Sequence, residues 1–153
     1  MRCRLCRQSA VYTPLRFCKE HFLAYYVKRV RDFFESTRVR DARVLIAVSG
    51  GKDSSALAAV LCEVREEFGL ELGLFSIDLG IPGYSERGLE AARKLSETLR
   101  LPLIIEELRN HARTISDFAG PGTKPCGPCG TIKRYLLNKA AVEHGYGYLA
   151  TGH

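Results

Sequence analysis

Val44-Leu45-Ile46-Ala47-Val48 is an unbroken apolar run that ends at Ser49-Gly50-Gly51. A short run bounded by a turn signal suits a strand buried on both faces of a parallel sheet. Leu72 to Ile77, Leu103 to Leu108 and Tyr148-Leu149-Ala150 are further strand candidates. Helical stretches fall between them, from about Asp53 to Phe68, Ser85 to Leu99 and Cys129 to Glu143. Gly80, Pro82 and Gly83 mark one loop, and a Gly- and Pro-rich segment over 119–128 marks another. This alternation predicts an α/β fold with a doubly wound parallel sheet over 41–153. Ahead of it, Phe22, Tyr26, Val30, Phe33 and Phe34 recur at helical spacing over 22–36, flanked by Lys28, Arg29 and Arg31. Residues 1–21 lack such periodicity, so 1–40 reads as a separate small module. Thr151-Gly152-His153 falls where a loop leaves a strand tip. The sheet is therefore expected to be incomplete at the C-terminus, as the amino-terminal piece of a longer protein.

Composition narrows the class. The 153 residues carry a net charge of +6, which suits a nucleic-acid or nucleotide partner without specifying one. No run is long enough for a membrane span and no signal-like stretch follows Met1, so a cytoplasmic location is expected. Six cysteines fall into two C-x-x-C pairs, a Cys-x-x-His and a lone Cys62. In a reducing compartment this spacing favours metal or redox chemistry over a disulfide framework. Cys62, among Leu57, Val60 and Leu61, reads as core, and His111 and His144 have no partner pattern.

Ser49 to Ser54 follows a strand and opens a helix. The two glycines let the backbone approach an anion, the first-turn N–H groups and helix dipole favour negative charge, and Lys52 adds a cation. The loop is not a Walker A motif: Ile46 stands where its first glycine belongs, and Asp53 replaces its magnesium-binding hydroxyl. That argues against γ-phosphate chemistry of the GTPase or kinase kind.

Cys3-x-x-Cys6 and Cys18-x-x-His21 offer three thiolates and an imidazole, enough to complete a closed, structural Zn²⁺ tetrahedron. Such an ion would order a segment too short for its own core. Arg2, Arg4, Arg7 and Arg16 surround it, either as an RNA-facing surface or as a solvated face. Cys126-Gly127-Pro128-Cys129 admits a thioredoxin reading. Three strand–helix steps precede it, however, the chain has no Trp, and no later proline follows. Half of a zinc ribbon is excluded because no C-x-x-C remains to complete it. Two thiolates at a helix start near a nucleotide site suit sulfur transfer or an iron–sulfur cluster.

Ser-Gly-Gly-Lys-Asp-Ser after the first strand resembles the PP-loop ATPase family, whose members cleave ATP between the α and β phosphates and pass AMP to a substrate oxygen. Ser49 and Ser54 can donate hydroxyls, and the resemblance implies that Gly50, Gly51, Lys52 and Ser54 hold the pyrophosphate end and that Asp53 positions the nucleotide. It implies that Ala47 and Ile77 flank adenosine, and that Gly152 and His153 border ATP. Cys126 to Tyr135, Leu79 to Ser85 and Ala150 to His153, together with the amino-terminal cysteines, resemble the tRNA 2-thiouridine synthetases of the TtuA type. That likeness implies ATP with Mg²⁺, zinc, and a [4Fe–4S] cluster on Cys126, Cys129 and a third cysteine far downstream. It also implies a catalytic Lys133, a tRNA uridine as substrate, a ubiquitin-like thiocarboxylated sulfur carrier, a homodimer, and a further catalytic Asp after the segment of Gly152 and His153. The rival readings are a wobble-uridine thiolase, a tRNA-lysidine synthase-like ligase, and a non-catalytic zinc-anchored RNA-binding module.

Overall fold

A computed structural model of the protein describes residues 1–111 and 126–152, with the side chains of 126–129 left out. Four strands, β1 (Arg43–Ala47), β2 (Glu71–Asp78), β3 (Leu103–Glu107) and β4 (Tyr148–Ala150), form one sheet in the order β3-β2-β1-β4. Every neighbouring pair is parallel. Four α-helices accompany them: α1 (Lys19–Thr37), α2 (Lys52–Phe68), α3 (Tyr84–Leu99) and α4 (Cys126–Glu143).

The middles of β1 and β2 are apolar because both faces of the sheet are covered there. Val44, Ile46, Val48, Leu72 and Leu74 face one core with Ala58, Leu61, Val64 and Phe68 of α2 and Ala92 of α3. Leu45 and Phe75 face the other, with Leu136, Leu137, Ala140 and Ala141 of α4. Each fully buried side chain of this size contributes about 1.5–3 kcal/mol. Two crossovers, through α2 and α3, build the sheet outward from β1 to β3. The chain then returns through α4, on the opposite face, to set β4 on the other side of β1. The doubly wound expectation is met, and the switch point lies between β1 and β4. In open α/β sheets ligands bind at the carboxyl ends of strands at such a point.

Arg43 fastens α4 from the far end of the sheet. Its Nη1 donates to the carbonyls of His144 (2.7 Å) and Gly145 (3.1 Å). Its guanidinium lies 4.5 Å from the centroid of the Tyr146 ring.

Element ends differ from expectation in three places. Helix α1 starts at Lys19 rather than Phe22, because its first turn is polar and carries no apolar repeat; Cys18 is its N-cap. Helix α4 starts at Cys126 rather than Cys129, with Pro128 in the first turn, where a missing N–H costs nothing. Strand β3 stops at Glu107, and Leu108–His111 form a 3₁₀ turn. The loop expected over 119–128 lies up to 125 outside the described residues.

Residues 1–17 have only isolated antiparallel bridges, Arg2 with Ser9 and Tyr12 with Phe17. Cys3, Phe17 and Cys18 form a small core apart from the two sheet cores. Helix α1 joins the sheet through α2: the rings of Phe34 and Phe68 lie 5.2 Å apart, and Arg31 Nε donates to Glu67 Oε2 at 2.7 Å.

Candidate functional site

The phosphate loop turns at Gly50, whose φ of +79° is left-handed. A Cβ there would lie 2.8 Å from both Cα and O of Gly88 in α3, so the loop rests backbone to backbone on that helix. Gly51 has an ordinary backbone, and a Cβ would meet only Ser49 Oγ at 3.4 Å. The first glycine is required by the fold, whereas the second leaves space. Gly51 is the N-cap of α2 and no side chain caps that end, so its first-turn N–H groups face outward. The serines brace the loop: Ser49 N–H donates to Ser54 Oγ (3.3 Å), and Ser54 Oγ donates to the Gly51 carbonyl (3.1 Å).

A cavity of about 430 Å³ opens here, within the usual range for ligand sites. Ala47, Ser49, Gly51, Asp53 and Ser54 line it beside Ile77 of β2, Lys133 and Arg134 of α4, and Gly152 after β4. Phe75, Leu79, Leu89 and Leu137 supply an apolar wall. Gly152 is packed against the start of α2, where a Cβ would come within 3.0 Å of Ser54 N.

Residues from four separate segments singled out in the sequence thus meet at the switch point. Three expectations fare differently. Lys52 lines neither this cavity nor the one adjoining it; its exposed ammonium pairs with Asp53 Oδ1 at 2.7 Å. Gly50 lines a second, adjoining cavity instead. His153 and the side chains of Cys126 and Cys129 lie outside the described residues. Sequence reasoning gave no role to Gly88, Tyr84, Arg87 and Arg134. Tyr84 and Arg134 fall within the segments that carry the family resemblance, and Gly88 left a signal as a glycine inside a helix.

In the small core outside the sheet, the donor atoms of Cys3, Cys6, Cys18 and His21 all lie within 4.8 Å of one another. Cys6 Sγ is 3.7 Å from Cys18 Sγ, and His21 Nδ1 is 3.5 Å from Cys3 Sγ and 3.2 Å from Cys18 Sγ. A tetrahedron with Zn–S near 2.3 Å and Zn–N near 2.0 Å has edges of about 3.8 Å and 3.5 Å. The donor set therefore fits zinc in size and kind. Burial raises the Cys3 thiol, but backbone N–H donors, Leu5 foremost, outweigh it and bring the thiol down to about 6. Cys6 is pushed up: the Gln8 backbone lowers it, but burial and the neighbouring Cys18 and Cys3 sulfurs prevail. A bound cation would relieve that crowding. Of the basic residues within 1–40, Lys28 pairs with Asp32 and Arg31 with Glu67, while Arg4 stacks on Phe17.

Fold and site together define an α/β nucleotide-binding domain with a phosphate loop at the switch point of its sheet. Residues 23–153 match the family model of the PP-loop domain, and the chain belongs to the PP-loop family. It is 36% identical over 166 residues to the tRNA-5-methyluridine(54) 2-sulfurtransferase of Pyrococcus horikoshii, and 37% identical over 161 to that of Thermus thermophilus. All of this chain is covered, against 50% and 49% of theirs, so the chain spans about half the length of these curated relatives. A U34-tRNA thiolase from Methanococcus maripaludis, solved with its [4Fe-4S] cluster, superposes with a TM-score of 0.86 at 29% identity, over 100% of this chain and 54% of that one. Among the described residues no helix is long and apolar enough to cross a membrane.

Proposed function

We propose that this chain is the ATP-binding part of a cytoplasmic tRNA-uridine 2-sulfurtransferase that acts on the T-loop uridine. One observation carries the reading: the phosphate loop and Lys133, from a helix headed by Cys126 and Cys129, share one cavity. Ala47 and Ile77 would flank the adenosine. Gly50, Gly51, Ser54 and the first turn of α2 would hold the phosphates with Mg²⁺, and Lys52 would swing from Asp53 to join them. Asp53 and Gly152 would border the nucleotide. The uridine O2 attacks the α-phosphate, pyrophosphate leaves, and sulfur then displaces AMP at C2. Lys133 would stabilise the charge developing on the α-phosphate. Cys3, Cys6, Cys18 and His21 would hold a structural zinc. Cys126 and Cys129 precede Lys133 by two turns and one turn of α4, and with a third cysteine would hold a [4Fe–4S] cluster supplying sulfur chemistry beside it. A thiocarboxylated ubiquitin-like carrier as donor, and a homodimer, complete the reading.

Relatives named for the position-54 activity support the T-loop target. The U34 thiolase likeness supports the wobble uridine as a second reading. The test is anaerobic incubation of the full-length protein, reconstituted with iron and sulfide, with tRNA, ATP and sulfide, followed by mass spectrometry of mapped tRNA fragments. AMP formation with 2-thiouridine at the T-loop is expected. Sulfur at the wobble position would select the second reading, and no ATP binding at all would overturn both.

A further inference from the structure

The phosphate loop separates two cavities of different chemistry. The first is the apolar-walled one described above. The second, about 590 Å³, adjoins it and is lined by Ser49, Gly50 and Gly51 on one side and by Pro82, Gly83, Tyr84, Arg87 and Gly88 on the other. Ser49, Gly51, Tyr84 and Gly88 belong to both, so the two meet at the loop itself. The second cavity lacks the Phe, Leu and Ile side chains of the first, with Pro82 its one aliphatic ring. It offers loop backbone, one aromatic ring and one guanidinium.

We infer that this second cavity receives the β- and γ-phosphates of ATP, and that Arg87 is a further cation, beside Lys52, that holds the departing pyrophosphate. The inference rests on the ATP reading above and adds a residue to it. Among the described residues Arg87 is in no ion pair, whereas the lysine of the loop is paired with Asp53. The position of Arg87 is fixed by its neighbour. Gly88 lets α3 approach until a Cβ there would lie 3.1 Å from the Ser49 carbonyl, while Gly50 touches the Gly88 backbone from the loop side. This contact between two glycines holds the second turn of α3 against the loop and sets Arg87 at the wall of the second cavity. Cleavage between the α and β phosphates would then occur at the shared boundary. AMP would remain in the apolar cavity, and the diphosphate, whose terminal oxygens suit a planar five-donor group, would leave through the other.

The test is calorimetric titration of the protein with inorganic pyrophosphate and, separately, with AMP. Arg87→Ala should weaken pyrophosphate by about tenfold or more, the worth of a charge-assisted contact, with AMP affinity unchanged. Arg87→Lys should recover part of the loss. Equal pyrophosphate affinity in wild type and Arg87→Ala overturns the inference alone, as does an equal loss for AMP and pyrophosphate. If the wild type binds neither AMP nor ATP, the ATP reading itself has failed. Because Arg87 is exposed on α3, the variant is expected to fold, and circular dichroism melting confirms it.

Discussion

Gly50 and Gly51 look alike in the sequence but should fail in opposite ways. At Gly50, alanine would hold a left-handed backbone, at about 1–2 kcal/mol. Its Cβ would also press on two backbone atoms of Gly88 at 2.8 Å, which cannot rotate away. Overpacking of that kind costs about 1–3 kcal/mol. The sum, about 2–5 kcal/mol, lowers the melting temperature of a domain of this size by roughly 4–20 °C. At Gly51, valine meets a permissive backbone and one hydroxyl at 3.4 Å. It sacrifices an N-cap preference of about 1 kcal/mol. Its methyl groups, however, enter the space where phosphate would meet the first-turn N–H groups. Losing two charge-assisted bonds of about 1.5–3 kcal/mol each weakens ATP by at least 100-fold or so. Differential scanning calorimetry and ATP titration on both variants separate the roles. A Gly50→Ala protein that melts like wild type, or a Gly51→Val protein that binds ATP normally, refutes the reasoning.

Arg43→Ala should cost about 1–3 kcal/mol in urea unfolding, since it removes two hydrogen bonds and a ring contact that fasten α4; an unchanged midpoint would count against that account. Lys133→Ala should leave the fold intact and lower AMP formation by about tenfold or more, since a cavity-wall cation would act on developing charge; unaltered turnover would remove it from the chemistry. Cys62, its thiol pushed up by burial, should react with a disulfide reagent at pH 8 more slowly than free cysteine in a Cys126→Ser, Cys129→Ser background. Labelling as fast as free cysteine would show that it is not packed.

The phosphate loop was legible because its parts are local: an apolar strand, two glycines and a helix start stand next to each other in the chain. Gly152 and Lys133 were legible only as pieces of motifs, and it took the return of the chain through α4 to bring them to the loop. Gly88, Arg87 and Tyr84 were out of reach, since their role depends on how α3 lies on the loop. A glycine in a helix costs about 0.5–1 kcal/mol relative to alanine, so Gly88 was a flag without an address. His111, which has no partner pattern in the sequence, pairs with Glu106 across the end of β3. The cysteine spacing was informative for a different reason: Cys18 and His21 lie three apart across the first turn of α1, so the helix itself enforces their separation.

The metal and nucleotide sites share a mechanical link, and its geometry predicts that they are energetically separate. Helix α2 carries the phosphate loop at its first residue and receives α1 near its last, at Glu67 and Phe68. Its 17 residues span about 25 Å. The four candidate metal ligands lie at the opposite end of α1 from Phe34, in or beside a small core of Cys3, Phe17 and Cys18 that is distinct from both sheet cores. Zinc binding in such modules supplies most of their folding free energy, so removing the metal should melt residues 1–21 and fray the start of α1. The Phe34–Phe68 contact, buried in the sheet core, has no reason to follow. Chelation, or a Cys18→Ala change, should therefore abolish amide protection over residues 1–21 by hydrogen exchange and leave ATP affinity within about twofold, below the tenfold that 1.4 kcal/mol would produce. A collapse of ATP binding on metal loss would mean that α1 transmits strain along α2 to the loop, and retained protection would mean that those four side chains do not hold the metal.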